Sequence, residues 1–137
     1  MDPVIKAALL CDYALTGADG KLSAIGIFNN INFSSLPSVY PLFFAVIILA
    51  LDRGTHPIHL GIVDPMGQQI LLESPAVDVP VDVPGAEANL VIGFPTVQFQ
   101  RAGIYQVQLF IDGRLYQSIP LNVQAVSTEG MPPVQAN

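Results

Sequence analysis

Short segments of apolar or alternating residues, separated by closely spaced turns, constrain the fold of this chain more than any other feature of its sequence. The turn signals are built around glycine, often with proline or aspartate, and lie at 17–20, 52–54, 64–67, 84–85, 101–103 and 112–113. The segments between them show no long apolar repeat of 3.6 residues, and they span about 5–14, 21–33, 42–51, 57–64, 68–73, 87–99, 103–111 and 114–124. Many short strands with regular turns are typical of an antiparallel sandwich or barrel. We therefore predict an all-β fold, a single antiparallel β-sandwich of about seven to nine strands.

The clearest strand pair is a hairpin over 103–124. Apolar and polar residues alternate over most of 103–111, which gives one apolar face. Asp112 and Gly113 then form a two-residue loop, and we predict a type I′ turn because both residues tolerate positive φ. Pro120 on the return strand lacks an N–H, so we expect no neighbouring strand on that side of it.

The sequence carries no sign of export or of insertion into a membrane. A single cysteine excludes an internal disulfide, and the acidic N-terminus lacks the basic stretch of a signal peptide. The longest apolar run covers residues 42–51, about half of the roughly 20 residues that a spanning helix needs. We interpret this run as a strand buried on both faces and predict a cytoplasmic protein.

Residues 77–84 repeat Val-Asp-Val-Pro, with the valines on one face and the aspartates and prolines on the other. Two prolines forbid a central strand, so this segment is predicted to be an edge strand or an extended strap. Few apolar residues follow position 126. We predict a β-sandwich domain over 1–126 and a flexible C-terminal tail over 127–137.

Candidate metal ligands are sparse. The two histidines, His56 and His59, are three positions apart, which places them on opposite faces of a strand. Asp78, Asp82 and Glu87 resemble a calcium site only superficially, because four residues of extended chain span about 13 Å. Surface histidines at a turn and solvated edge acids explain these residues better, and we predict no metal ion and no cofactor.

No catalytic arrangement stands out either. Cys11 lies on the apolar face of the first predicted strand, where burial raises the thiol pKa and makes it inert. The chain has no nucleophile elbow and no glycine-rich phosphate loop. We predict that the protein is not an enzyme.

Asn29, Asn30 and Asn32 interrupt an otherwise apolar strand, and asparagine is poorly suited to strands. A bulge or bend whose amides cap backbone groups accounts for them most simply. The alternative is a polar recognition patch on an exposed sheet face, and these three residues are the candidate site.

Charge and polarity bear on the partners. The net charge is −6, and both nucleic acid and anionic membranes require clustered cations, so we predict that neither is a partner.

Only 12% of residues are charged, too few to cover the surface without apolar patches, and such patches usually mark interfaces. We predict a homo-oligomer, with a dimer as the first choice. The strands beside 42–51 and the strap over 77–83 are candidate contact regions.

Two resemblances refine the fold. Residues 102–107 resemble the entry to the penultimate strand of immunoglobulin-like domains, where the tyrosine hydroxyl caps the preceding corner. The resemblance implies that role for Tyr105, although Val107 stands where antibody domains have cysteine and tryptophan is absent.

The span from about 8 to 124 also resembles a family of bacterial proteins known only as a domain of unknown function. The matching pieces are 10–14, 20–31, 64–67 and the hairpin over 103–123, and the resemblance implies a small β-sandwich without transferable site residues.

We therefore predict a non-catalytic interaction or structural module that associates with itself or with another protein. The first alternative is a sandwich that binds a small ligand or a glycan, which requires a concave pocket with convergent polar groups. The second is a subunit of a virion or another assembly, which requires a large flat apolar patch.

Overall fold

The computed structural model describes residues 1–126, and these residues form ten β-strands and no helix. The strands are β1 (Val4–Thr16), β2 (Leu22–Phe28), β3 (Asn30–Phe33), β4 (Ser38–Ala50), β5 (Gly54–Val63), β6 (Ile70–Glu73), β7 (Val77–Val81), β8 (Glu87–Phe99), β9 (Gly103–Ile111) and β10 (Arg114–Ala125). The all-β prediction is correct. The predicted count of seven to nine is too low, because the segment 21–33 breaks into two strands and the strap forms β7. The predicted tail over 127–137 lies outside the described residues.

The strands form two sheets. One has the order β2-β1-β4-β8, and the other has the order β3-β10-β9-β5-β6, with β7 also paired to β5. All pairs are antiparallel except β3 with β10, which run parallel from Asn30 opposite Asn122 to Phe33 opposite Ala125. A wholly antiparallel sandwich is therefore not observed. The parallel pair arises because the chain leaves one sheet after Phe28 and enters the other at Asn30 without reversing in a hairpin.

The inner faces of the two sheets share one hydrophobic core. Alternate residues of each central strand point into it, as the period of a strand requires, and they include Phe43, Ala45, Ile47 and Leu49 of β4 and Tyr105, Val107, Leu109 and Ile111 of β9. Each of these eight residues is at most 1% exposed. The core thus depends on contacts between two layers that are distant in sequence.

The β9–β10 hairpin has the predicted geometry. Asp112 and Gly113 have φ angles of 53° and 78°, the pair of positive values that a type I′ turn requires. Pro120 lies opposite Gln106 of β9, and β3 joins the other side of β10 only from Asn122 onward. Proline therefore occupies a stretch where β10 has a strand on one side only, as predicted.

The corner before β9 is closed by Tyr105. Its ring is 1% exposed, and its hydroxyl donates a hydrogen bond of 2.8 Å to the backbone oxygen of Arg101. This is the contact that the resemblance to immunoglobulin-like domains implies. It fixes the loop that leads from β8 into the hairpin.

None of the described residues forms a helix of the length and apolarity needed to cross a membrane.

Candidate functional site

The outward surface of the β2-β1-β4-β8 sheet is apolar along all four strands. Its residues alternate with those that enter the core, so they point away from the second sheet. We call this surface the outer apolar face, and it consists of Leu9, Cys11, Tyr13, Ile25, Ile27, Leu42, Phe44, Val46, Val91, Gly93 and Pro95. Cys11 and Val46 lie at its centre in a second hydrophobic cluster, against which Leu9, Phe44 and Val91 pack.

Strand register arranges these residues in rows across the sheet. Ile27 lies opposite Cys11, Cys11 opposite Phe44, and Phe44 opposite Gly93. In the neighbouring row, Ile25 lies opposite Tyr13, and Leu42 lies opposite Pro95. The first row thus runs from an isoleucine on β2 at one edge to a glycine on β8 at the other, and the next pairs along the strands place an isoleucine on β2 and a proline on β8.

The two edges of the face differ in the size of their side chains. Ile25 and Ile27 on β2 are 58% and 63% exposed, and they form what we call the β2 ridge. Gly93 on β8 has no side chain, and a Cβ there would lie 3.0 Å from the Phe44 ring. The Phe44 ring therefore lies over Gly93, and we call the outward surface of β8 at Gly93 and Pro95 the glycine strip. Tyr13, 52% exposed, meets the Phe44 ring edge to face with centroids 6.2 Å apart.

The outer apolar face carries no charge. The outward positions between 7 and 15, 23 and 27, 42 and 48, and 89 and 95 contain no Asp, Glu, Lys or Arg. At one margin, Lys6 Nζ lies 2.7 Å from Glu87 Oε2, so these two charges neutralise each other. Burial raises the pKa of the Cys11 thiol, and Cys11 is fully covered by its neighbours.

The asparagine candidates lie where the chain crosses between the sheets. Asn29 occupies the crossing, its backbone oxygen accepts a 2.9 Å hydrogen bond from the amide of Asn122, and its Oδ1 accepts one of 2.6 Å from Asn30 Nδ2. Asn32 lies opposite Gln124. Asn29 therefore lies at the bend between β2 and β3, and a recognition patch of Asn29, Asn30 and Asn32 stays a prediction.

Two concavities adjoin this crossing and share Asn29 and Pro120. The larger, of about 380 Å³, is mainly apolar and is lined by Ala8, Leu9, Leu10, Ile27, Phe28, Asn29, Ile119 and Pro120. The smaller, of about 150 Å³, is lined by Asn29, Asn30, Ile104, Pro120 and Asn122. Asn29 and Asn30 are thus brought together at a groove, whereas Asn32 lines neither concavity.

The two histidines have separate structural partners. His56 Nδ1 lies 2.9 Å from Asp112 Oδ2, and its Nε2 lies 2.8 Å from the backbone oxygen of Asp52. The carboxylate of Asp112, followed by this backbone oxygen, raises the pKa of His56. His59 stacks on Phe110 with ring centroids 4.8 Å apart. Within residues 1–126, no three His, Cys, Asp or Glu side chains lie close enough together to hold a metal ion.

The acidic strap is an edge strand. β7 pairs with β5, and Asp78 lies opposite Pro57. The backbone oxygen of Asp82 accepts a 3.2 Å hydrogen bond from Arg53 Nε, while Glu87 is the partner of Lys6. The three acids Asp78, Asp82 and Glu87 thus have different surroundings along the sheet edge.

Sequence reasoning missed one buried carboxylate, Asp64, because its segment was read only as a turn. Asp64 is 6% exposed, and its Oδ1 accepts hydrogen bonds from the amides of Gln69 (3.1 Å) and Gln68 (2.7 Å). Its Oδ2 lies 3.2 Å from Arg101 Nη2. The amide of Gln69 and then that of Gln68, together with Arg101, lower the pKa of Asp64. This carboxylate closes the β5–β6 turn and ties it to the Tyr105 corner.

Comparisons with known proteins extend this description. A family model described as "Family of unknown function (DUF6941)" matches residues 6–124. No curated protein matches the chain. Among solved structures, a similar one is that of the Pseudomonas fluorescens alkylpurine DNA glycosylase AlkC bound to DNA containing an abasic site analog. It has a TM-score of 0.50 and 11% identity, over 86% of this chain and 30% of the glycosylase.

This likeness corrects one prediction. Nucleic acid was excluded as a partner on the basis of net charge, yet the similar solved structure is that of a DNA glycosylase bound to DNA. The exclusion is therefore wrong. Net charge averages over the whole chain and does not describe any single surface, so it cannot rule out a class of partner. At 11% identity the likeness shows the fold and transfers no binding residue.

Proposed function

The chain belongs to a family of unknown function, DUF6941, and we propose that it is a non-catalytic interaction module that binds a protein through its outer apolar face. The observation that carries this proposal is the exposure of Ile25, Ile27 and Tyr13, each more than half exposed, on a sheet surface without charge. Contiguous apolar surface of this kind usually marks an interface, because leaving it in water is unfavourable.

The size of the face supports an interface. The face spans five residues on each of β1, β4 and β8 and three on β2, and at about 3.3 Å per residue and 4.8 Å between strands this gives a flat area of about 300 Å². The largest apolar patch on a typical monomer is about 300–600 Å² and is often functional. The outer apolar face is therefore large enough to be the working surface of the molecule.

The absence of catalysis is part of the proposal. Cys11 is covered by its neighbours, so its thiol is not accessible to a substrate. Both oxygens of the buried Asp64 are occupied by Gln68, Gln69 and Arg101. Neither group is free to act as a nucleophile or as a general base.

We also propose the finer description of the fold as an immunoglobulin-like sandwich and its location as the cytoplasm. The hydrogen bond from Tyr105 to Arg101 supports the first, because such a tyrosine corner is a hallmark of that fold. A lone free cysteine agrees with a reducing compartment.

Hydroxyl-radical footprinting tests the interaction. We expect Tyr13 to be oxidised in the dilute purified protein and protected when the tagged protein is labelled in extract of its native host. Met66, 62% exposed on the turn between β5 and β6, serves as the control and stays reactive in both samples.

Equal reactivity of Tyr13 in the two samples would contradict an interaction through this face. A nuclease-treated extract adds a second comparison. Protection that disappears after nuclease treatment identifies a nucleic acid as the partner and overturns the assignment of a protein partner.

A second candidate function is the binding of a small neutral ligand at the strand crossing. The groove of about 380 Å³ lies in the range of known ligand pockets and is bordered by Asn29, while Asn30 and Asn122 line the smaller concavity beside it. A panel of neutral oligosaccharides tests this candidate by thermal shift. A stabilising sugar should lose its effect in Asn29→Ala and Asn122→Ala and keep it in Asn32→Ala, which lies outside the groove.

A further inference from the structure

We infer that the occupant of the outer apolar face is a second copy of the chain, related by a twofold axis that lies in the interface and runs parallel to the strands. In this arrangement the β2 ridge of each copy lies on the glycine strip of the other. The inference rests on the proposed function, since it names the partner for the same face.

Shape is the first argument. Ile25 and Ile27 are exposed on β2 at one edge of the sheet, while β8 at the opposite edge carries Gly93, which has no side chain and is covered by the Phe44 ring. A twofold axis along the strands exchanges the two edges, so β2 of one copy meets β8 of the other. The face is then complementary to itself, as an isologous interface requires.

The twist of the sheet is the second argument. Two sheets pack face to face when their twists match, and their strands then lie within about 30° of each other. The inner face of the β2-β1-β4-β8 sheet already packs against the second sheet of the same chain through a shared core. Its outer face has the same twist, and a second copy presents an identical surface.

Charge is the third argument. Each copy carries a net charge of −6, which opposes association of two copies through most surfaces. The outer apolar face contains none of these charges, so two copies can meet there without burying an unpaired acid. A strongly basic partner, in contrast, would find no acidic residue on this face to pair with.

The area of the outer apolar face indicates how stable the dimer is. The flat area of about 300 Å² is less than half of the roughly 800 Å² that each partner contributes to a standard stable interface. We therefore expect a reversible dimer whose population depends on concentration. Its apparent mass should rise from 14.6 kDa toward twice that value as the protein is concentrated.

Register gives the arrangement a sharp test. Ile25 and Pro95 lie on the two edge strands of the sheet, next to the row that joins Ile27 to Gly93 and separated by β1 and β4. Three strand spacings of about 4.8 Å, about 14 Å in all, separate these edges within a chain, whereas two sheets that pack face to face lie about 10 Å apart. A second copy that places β2 over β8 therefore brings position 25 closer to position 95 of its partner than to position 95 of its own chain.

The experiment is crosslinking at high protein concentration with a short bifunctional thiol reagent whose reach matches the roughly 10 Å between packed sheets. We expect the double variant Ile25→Cys/Pro95→Cys to form a covalent dimer, whereas Ile25→Cys alone and Pro95→Cys alone remain non-covalent. The matched control is Ile70→Cys/Ile104→Cys, at positions 61% and 54% exposed on the other sheet, and it should not be trapped. Native Cys11 stays in every variant because it is buried.

Light scattering of the wild type and of serine variants, without crosslinking, supplies a second readout. Ile25→Ser/Ile27→Ser should raise the dimer dissociation constant by at least roughly tenfold, because apolar burial is lost on both copies. Ile70→Ser/Ile104→Ser, in contrast, should leave the constant unchanged. Circular dichroism verifies that both variants keep their sheet content.

Two outcomes would overturn the inference. A covalent dimer from Ile25→Cys alone would place β2 on β2 and refute the arrangement. A mass of 14.6 kDa at every concentration would refute the second copy as partner. If Tyr13 is still protected in host extract in that case, the interaction function stands and its partner is a different protein.

Discussion

A single backbone angle at Gly113 decides which residues the β9–β10 turn accepts. Its φ is 78°, and a Cβ added there would meet no atom within 4 Å, so the cost of a substitution is purely conformational. We expect Gly113→Val to lower the free energy of unfolding by about 1–3 kcal/mol, since a β-branched residue is strained at positive φ. Gly113→Asn should cost much less. Urea unfolding of both variants measures the difference, and equal losses would contradict the turn assignment.

The hydroxyl and the ring of Tyr105 make separable contributions. Tyr105→Phe removes the hydrogen bond to the Arg101 backbone oxygen and should cost about 1 kcal/mol. Tyr105→Ala also removes a buried ring that packs against Phe99, and it should cost about 3–5 kcal/mol. Thermal and urea melts compare the two variants. A Phe variant as stable as the wild type would show that the hydroxyl contributes nothing to the corner.

Residue patterns in the sequence predicted some of these features and missed others for physical reasons. Asp112 and Gly113 indicated their turn because backbone sterics are local. The exposure of Ile25, Ile27 and Tyr13 was not predictable in the same way. Alternation shows which residues share a face, but when both faces of a strand are apolar it does not show which one the second sheet covers.

Among the elements, β5 is tied at one end to two turns through His56. A protonated imidazole donates to the Asp112 carboxylate and the Asp52 backbone oxygen together, whereas a neutral ring has one N–H and can donate to only one of them. The carboxylate of Asp112, followed by the Asp52 backbone oxygen, raises the pKa of His56 above its ordinary value. The protonated form is therefore bound more tightly by the folded state than by the unfolded state.

The stabilisation that His56 provides therefore depends on pH. Since the folded pKa exceeds the unfolded value, the stabilisation is complete below the unfolded pKa and is lost as pH rises through the folded one. We expect the stability advantage of the wild type over His56→Gln to shrink as the pH rises above the ordinary histidine pKa of about 6.5. Urea midpoints across this rise in pH measure it. Parallel pH profiles for the two proteins would show that His56 does not contribute in this way.

The pairing of strands at the Asn29 crossing could not be predicted from the local sequence alone. The asparagines indicated an interruption, and the bend is there, but the parallel pairing of β3 with β10 depends on a strand about 90 residues later in the chain. Sequence spacing carries no information about that partner. The groove at the crossing was therefore foreseen only as a polar patch, and its apolar wall from β1 and β10 was not.

At the scale of the whole molecule, net charge and the outer apolar face act in opposite directions on self-association. Each copy carries −6, so long-range repulsion opposes the encounter of two copies, while burial of the uncharged face favours the complex. Salt screens the first effect, with a Debye length of about 10 Å at 0.1 M. Apolar burial does not weaken in the same range.

We therefore predict that the dimer becomes tighter as sodium chloride rises from low to physiological ionic strength. Sedimentation equilibrium at fixed pH measures the dissociation constant across this range. The variant Asp78→Asn/Asp82→Asn provides the control: both acids lie outside the proposed interface, and their removal lowers the repulsion between copies. It should form a tighter dimer than the wild type at low salt and show a smaller response to added salt. A dimer that weakens as salt is added would instead require ion pairs across the interface, which the uncharged outer apolar face does not offer.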